Sequence, residues 1–188
     1  MPSVEDPTRP AWPVPWPADL DPADLRQPDR VSCGAAAVVA ARVLLRPGWR
    51  PADPTAEIRL EHRHLTSTHS PRDRFQVPWP RQLGTPPWAI ATALGVLSGQ
   101  RLATVHARPR PVEGYQVLVE HLRTRPVALY LGNGWMPRHV VLAVEAVADD
   151  LGVRVFDPAS GRLLTVAAQR WRQHRVGVAG WNHLWFVL

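Results

Sequence analysis

The sequence predicts an α+β protein in which helices come first and strands follow. Apolar residues recur at helical spacing in several stretches between residues 33 and 125. From Pro126 onward the pattern changes to short runs rich in Val, Leu and aromatic residues, separated by turn sequences. A block of helices followed by a block of strands is typical of the α+β class, whereas a parallel sheet would need the two to alternate.

The composition suits one globular domain. The chain has 188 residues, of which 45% are hydrophobic and 20% charged, enough to bury a sizeable core. The first twenty residues hold acids and prolines where a signal peptide would need a basic start and an apolar block. No apolar run reaches the roughly 18 residues that cross a bilayer. We therefore expect a cytoplasmic protein with no membrane partner, although delivery by a leaderless route stays open.

The formal charge of +6 invites a nucleic-acid interpretation. All 22 basic residues are arginines, however, and they are spread from Arg9 to Arg175. Biased codon usage explains a chain rich in Arg, Ala, Pro and Val better than a phosphate-binding surface does. We therefore expect no nucleic-acid partner. The sequence leaves the oligomeric state open.

The N-terminal segment differs from the rest of the chain. Residues 1–24 are rich in proline and lack periodicity, which predicts an extended arm followed by a single domain over residues 25–188. Trp12 and Trp16 are expected to anchor this arm, because large aromatic side chains gain most from burial.

The first strong element is a helix over residues 33–45. Ser32 suits its N-cap, and Pro47 and Gly48 end it. Because this helix is apolar nearly all round, we expect it to be buried at the centre of the domain.

Three further helices are predicted, with one short strand before the last of them and the other strands after it. Thr55 is the expected N-cap of the first, Thr85 is that of the second, and Gly99 ends the second. These helices cover residues 50–65, 88–97 and 112–125.

The strands follow from short runs of branched and aromatic residues. The loops at residues 66–84 and 132–138 are polar and rich in Pro or Gly, and we expect them to line a cleft and set its specificity. The predicted strands cover residues 100–107, 126–131, 139–148, 153–158 and 181–188.

Cys33 is the only cysteine and opens the predicted central helix. A helix N-terminus favours the thiolate form, and a nucleophilic thiolate needs an imidazole partner. His139 is the best of the eight histidines, since it opens a strand beside a Gly-containing loop. Asp157, at the end of the neighbouring strand, would fix the tautomer of His139.

Strand register tests this pairing. His139 and Asp157 share a face of the sheet only if paired residue numbers add to an even value. A tight two-residue turn at Asp150 and Leu151 gives an odd value. The sequence therefore predicts a longer or bulged connection centred near residue 148 or 149.

A site of this kind also needs donors for the oxyanion that forms when a carbonyl is attacked. The backbone N–H of Cys33 supplies one, and the side-chain amide of Gln27, six residues upstream, could supply the second. Gly34 would leave room for a substrate backbone, and Trp135 would wall a substrate pocket.

The order Gln27, Cys33–Gly34, His139 and Asp157 resembles the papain-like cysteine peptidases. It is most similar to the bacterial peptidases that process bacteriocins with double-glycine leaders. The stretches GTPPWAIATALGVLSG, RPVALYL and FDPASG carry the rest of the resemblance, together with Trp171, over roughly residues 25–175. The resemblance implies a papain-like fold and a hydrolase that cleaves a peptide or amide bond through a Cys–His–Asp triad. It implies no cofactor.

Other interpretations stay open. The same triad can deamidate glutamine or transfer an acyl group, in a housekeeping enzyme or in a delivered bacterial effector. The fold can also serve as a non-catalytic binding module. A lone cysteine in an apolar helix is, by default, a small core residue.

The segment EHRHLTSTH offers His62, His64 and His69 as metal ligands. Their spacing matches no strong metal template. We expect no metal site there and interpret the segment as a polar surface helix and loop.

Overall fold

A computed structural model describes residues 12–69 and 75–188. It combines helices with an antiparallel sheet, which confirms the α+β class predicted from the sequence. Short 3-10 helices at Pro22–Leu25 and Arg81–Leu83 lie in the loops. The α-helices are α1 (Cys33–Leu45), α2 (Pro54–Thr66), α3 (Pro87–Ser98), α4 (Pro111–His121) and α5 (Ala168–Arg172).

The sheet has six strands, in the order β1–β6–β2–β3–β4–β5, and neighbouring strands are antiparallel. The sequence predicts strands near five of these positions but leaves LLTVAAQRW unassigned, where β5 and α5 lie. The strands are β1 (Val105–His106), β2 (Val127–Gly132), β3 (Pro137–Val147), β4 (Gly152–Asp157), β5 (Arg162–Ala167) and β6 (His183–Val187).

Both faces of the sheet are covered, because its central strands are apolar on both sides. One face packs against the helices α1, α2 and α3 through side chains such as Leu142 and Phe156. The other face packs against α4 and α5 through Val141, Val155 and Trp171. Burial on both faces explains why β2 is a continuous apolar run instead of alternating with polar residues.

Helix α1 is the central helix that the sequence predicts. Every residue of it except Arg42 is buried. Its many alanines let β3, α2 and α3 approach closely. Arg42 forms ion pairs with Glu57 and Glu61 of α2, so the one charged residue of α1 also ties two helices together.

The helix starts differ in detail from the expected caps. The side chain of Asp53, rather than Thr55, accepts the capping hydrogen bond of α2 from the Ala56 N–H at 3.0 Å. Ser32 occupies the N-cap position of α1 but makes no side-chain capping bond. Pro86, rather than Thr85, occupies the N-cap position of α3.

The described part of the N-terminal arm is anchored as expected. The Trp12 indole N–H donates to the Leu122 carbonyl, and the Trp16 ring stacks on Phe156 with centroids 5.2 Å apart. Residues 1–11 of the predicted arm lie outside the described residues.

Within residues 12–69 and 75–188, no helix is long and apolar enough to span a bilayer.

Candidate active site

Cys33 lies at the first turn of α1, where that helix meets the sheet, and only 6% of its surface is exposed. The chain before it is shaped by Asp29. The carboxylate of Asp29 accepts a hydrogen bond from the Val31 N–H at 3.0 Å and also interacts with Ser32. The position of the thiol is therefore fixed by the fold of the preceding loop as well as by α1.

His139 and Asp157 form a buried hydrogen-bonded pair. His139 lies near the start of β3 and Asp157 at the end of the adjacent β4, with Nε2 and Oδ1 2.7 Å apart. Oδ1 of Asp157 also accepts from the Ala159 N–H, while Oδ2 accepts from the N–H and the hydroxyl of Ser160. These bonds hold the carboxylate in one orientation, so it can hold the ring of His139 in one orientation too.

A β-bulge brings the pair onto one face of the sheet. Near the turn, Glu145 pairs with Arg154, which is the odd register that would separate His139 from Asp157. Between Ala143 and Glu145 the register shifts by one residue, so Leu142 pairs with Phe156 in the even register. The even register that the pairing requires is therefore present, but its cause differs from the expected connection centred near residue 148 or 149. The connection over residues 148–151 keeps the odd register, and the shift comes from a bulge at Val144 within β3.

The charge state of His139 follows from its neighbours. Burial alone would lower the pKa of His139, but its hydrogen bonds with Asp157 and Cys33, and the charges of both groups, raise that pKa to about 9. Since Nε2 faces Asp157, Nδ1 is the ring nitrogen left to face the thiol. His139 is thus an imidazolium at neutral pH.

The pKa of Asp157 shifts in the opposite direction from that of His139. Burial would raise the pKa of Asp157, but the hydrogen bonds from His139 and Ser160, together with the charge of His139, lower it below its usual value. Asp157 is therefore ionised next to the imidazolium of His139.

Tyr130 of β2 forms a further wall of the site. Its hydroxyl donates to the Thr85 carbonyl, which ties the sheet to the segment before α3. Full burial raises the pKa of Tyr130, and the nearby charge of Cys33 raises it further. Tyr130 is consequently a neutral neighbour of the thiol.

Gln27 lies beside the segment that carries Asp157. Its backbone N–H donates to the Pro158 carbonyl at 2.9 Å, and its side-chain Nε2 donates to the Asp29 carbonyl at 2.6 Å. One of the two amide hydrogens of Gln27 is thus engaged in shaping the loop before Cys33. The other amide hydrogen makes no hydrogen bond with the described residues.

Gly34 has a different role from the expected one. A Cβ at this position would lie 2.7 Å from Ile90 Cδ1 and 2.9 Å from Thr85 Cβ. The space next to Gly34 is filled by the protein itself, so glycine is needed here for close packing against α3. The expected free space for a substrate backbone is absent on this side.

The expectation that Trp135 walls a pocket is also wrong for the conformation in this structure. Its side chain is 90% exposed in the turn between β2 and β3, and the turn is shaped by Asn133, whose Oδ1 accepts from the Trp135 N–H. Within the described residues, the indole makes no aromatic contact.

His62 is a site residue that the sequence analysis missed. It was assigned to a polar surface, but only 7% of it is exposed, and it faces Asp29 and Gly84 next to the start of α1. The signal was present, because Ile58, His62 and Leu65 recur at helical spacing on the buried side of α2.

Among the described residues, no group of three or more His, Cys, Asp or Glu side chains could hold a metal ion.

No family model matches the chain, and no curated protein matches it at a significant level. The resemblance to papain-like peptidases therefore stays a prediction from the sequence.

Proposed function

We propose that the protein is a thiol hydrolase of papain-like architecture that cleaves a peptide or amide bond. The observation that carries this proposal is the buried His139, which interacts with Asp157 on one side and with Cys33 on the other. A thiol at a helix N-terminus, an imidazolium and an orienting carboxylate are the parts that covalent hydrolysis by a cysteine requires.

In the first half of the reaction, the thiolate of Cys33 attacks the substrate carbonyl carbon. The oxyanion that forms is held by the backbone N–H of Cys33 and by the free amide hydrogen of Gln27. His139 then gives its proton to the leaving amine as the carbon–nitrogen bond breaks. The products of this half are a free amine and a thioester on Cys33.

In the second half, water replaces the amine. His139, now neutral, takes a proton from the water as its oxygen attacks the thioester carbonyl. The carbon–sulfur bond breaks, the carboxylic acid leaves, and the thiolate and the imidazolium are restored. Asp157 keeps the ring of His139 oriented in both halves, and none of these steps calls for a cofactor.

One observation favours a second candidate, a non-catalytic binding module. Cys33 is only 6% exposed and His139 only 5%, so a substrate carbonyl has little direct access to the sulfur in this conformation. In that case the triad would be a structural remnant, and the partner would bind elsewhere on the fold.

Alkylation of Cys33 by iodoacetamide separates the two candidates. An imidazolium-paired thiolate reacts quickly at about pH 6, where an ordinary thiol is mostly protonated and slow. We expect fast labelling of the wild type and none of Cys33→Ala, with unchanged circular dichroism. His139→Gln is expected to slow labelling at pH 6 by at least about tenfold. Slow labelling of the wild type at pH 6, equal to that of His139→Gln, would falsify the hydrolase proposal.

Mass spectrometry of treated protein substrates identifies the reaction. Backbone cleavage produces new termini, whereas glutamine deamidation changes the mass of an intact protein by about one dalton, and acyl transfer adds the mass of the amine acceptor less ammonia. The first outcome supports a peptidase. Either of the others keeps the triad chemistry: deamidation changes the amide that is attacked, and acyl transfer also replaces water by an amine as the acceptor.

A further inference from the structure

Asp29 connects the groups that surround the proposed oxyanion. Its backbone carbonyl accepts the hydrogen bond from the Gln27 side chain at 2.6 Å. Its carboxylate accepts from the Val31 N–H at 3.0 Å and interacts with Ser32, the residue before the nucleophile. A single residue therefore touches both the Gln27 amide and the backbone that leads into the Cys33 N–H.

His62 supports this loop from α2. It is buried, and its ring interacts with the charge of Asp29 and with the backbone of Gly84. Burial, together with the charge of Arg81, lowers the pKa of His62 despite Asp29 and Gly84, so its ring is neutral at pH 7. Its Nε2 is buried with no hydrogen-bond partner among the described residues.

Gly84 and Thr85 carry this support to the other side of the nucleophile. A Cβ on Gly84 would lie 3.6 Å from the Val31 carbonyl oxygen, and Thr85 packs directly against Gly34. The loop before Cys33 thus lies against the 84–85 segment, and the ring of His62 interacts with the charge of Asp29 and with the backbone of Gly84.

We propose that Asp29 and His62 form a positioning pair. The pair holds the two oxyanion donors, the Cys33 N–H and the Gln27 amide, in the relative positions that bind an oxyanion. This inference rests on the proposed hydrolase function, because it assigns the oxyanion donors of that same site. Neither residue contacts the substrate. Both act through the loop, and the thiolate is activated separately by His139.

Two reagents distinguish this role from activation of the thiol. 4-Nitrophenyl acetate acetylates a thiolate: sulfur attacks the carbonyl, an oxyanion forms, and 4-nitrophenolate leaves without needing a proton. Iodoacetamide alkylates the same thiolate by displacing iodide and passes through no oxyanion. Loss of the positioning pair should therefore slow acetylation and leave alkylation nearly unchanged.

The informative variants are His62→Leu and Asp29→Ala. We expect each to slow acetylation of Cys33 by about 100-fold, comparable to losing or misplacing one oxyanion donor, while alkylation changes by less than about threefold. His62→Gln, which keeps a polar side chain next to the Gly84 backbone, should restore much of the acetylation rate. His64→Leu is the matched control, since His64 is exposed on the same helix.

Hydrogen–deuterium exchange provides a readout that does not depend on reactivity. In His62→Leu and Asp29→Ala, amides in the segment 28–34 should exchange faster than in the wild type, whereas those of β3 should be unchanged. Unchanged exchange in 28–34, or equal losses of acetylation and alkylation, overturns the positioning role.

The outcomes also separate this inference from the proposed function. If wild-type Cys33 resists both reagents, the hydrolase proposal fails, and the exchange experiment still decides whether the pair holds the loop. If wild-type Cys33 is alkylated quickly but never acetylated, the oxyanion site is absent, which overturns the hydrolase proposal and the positioning inference together. If the wild type reacts with both reagents and the variants acetylate as fast as it does, only the positioning inference fails.

Discussion

At the scale of single residues, Asp157 is expected to set the alkaline limit of the reaction. Its hydrogen bond and charge are among the causes that raise the pKa of His139 to about 9. Above that pH the imidazolium loses its proton and can no longer protonate a leaving amine. We therefore predict that Asp157→Asn moves the alkaline limb of kcat/KM for amide hydrolysis to lower pH.

The same shift can be measured without turnover. An NMR titration should place the pKa of His139 lower in Asp157→Asn than in the wild type, because the variant keeps the shape of the side chain but loses its charge. Asp150→Asn is the control, since Asp150 pairs with Arg172 and Tyr115 and has no contact with His139. An unmoved His139 titration in Asp157→Asn would contradict the assigned cause.

At the scale of elements, the β3 bulge is what aligns the site, and two single-residue deletions test it. Val144 is the extra residue, with no β4 partner, so its removal leaves the pairs on either side intact. Removing Val141, which pairs with Leu129 in the regular part of the ladder, moves His139 onto the other face.

Both deletions take a buried valine from the same strand, so each costs some stability. We predict that the Val144 deletion keeps fast alkylation of Cys33 at about pH 6 and a raised pKa for His139, whereas the Val141 deletion loses both. Melting temperatures measured alongside show whether each variant is folded. Equal reactivity of the two folded deletion variants would contradict the bulge argument.

The bulge also illustrates what the sequence could predict. Side chains on a strand alternate between the two faces of the sheet, so the sequence alone predicts that His139 and Asp157 share a face only in the even register. The central helix was equally predictable, because the apolar run from Cys33 is bounded by Pro47 and Gly48.

Features that depend on distant packing were not predictable in this way. The need for glycine at position 34 comes from Ile90 and Thr85, which lie more than fifty residues away in sequence. His62 is buried next to Asp29 and Gly84, which are distant in sequence, and its polar neighbours on α2 indicated a surface. In LLTVAAQRW, β5 runs directly into α5 with no Gly or Pro to mark the change.

At the scale of the whole molecule, three buried or half-buried histidines should make the fold sensitive to acid. They lie on separate parts of the chain: His62 on α2, His121 on α4 and His174 after α5. Burial is the first cause that lowers the pKa of each, and nearby arginines lower it further. The native state therefore keeps all three neutral at a pH where the unfolded chain has begun to protonate them.

The sign of the effect follows from proton counts. Below the unfolded value of 6.5 the unfolded state binds more protons than the native state, so the free energy of unfolding falls as the pH falls. His139 opposes this fall near its unfolded value of 6.5, because its raised pKa of about 9 keeps it protonated in the native state while the unfolded chain is still gaining that proton. This single group offsets only part of the effect of the three neutral histidines, and well below 6.5 it is protonated in both states. The lowered pKa of Asp157 also decreases the free energy of unfolding as the pH falls, but only in the range where carboxylates titrate.

We predict that urea-unfolding midpoints fall steadily between about pH 7 and pH 5, before carboxylates titrate. The triple variant His62→Gln, His121→Gln, His174→Gln should show a shallower fall, because a glutamine takes up no proton when the chain unfolds. His64→Gln, which changes an exposed histidine, should leave the slope as in the wild type. An equally steep fall in the triple variant would mean that other groups drive the acid sensitivity.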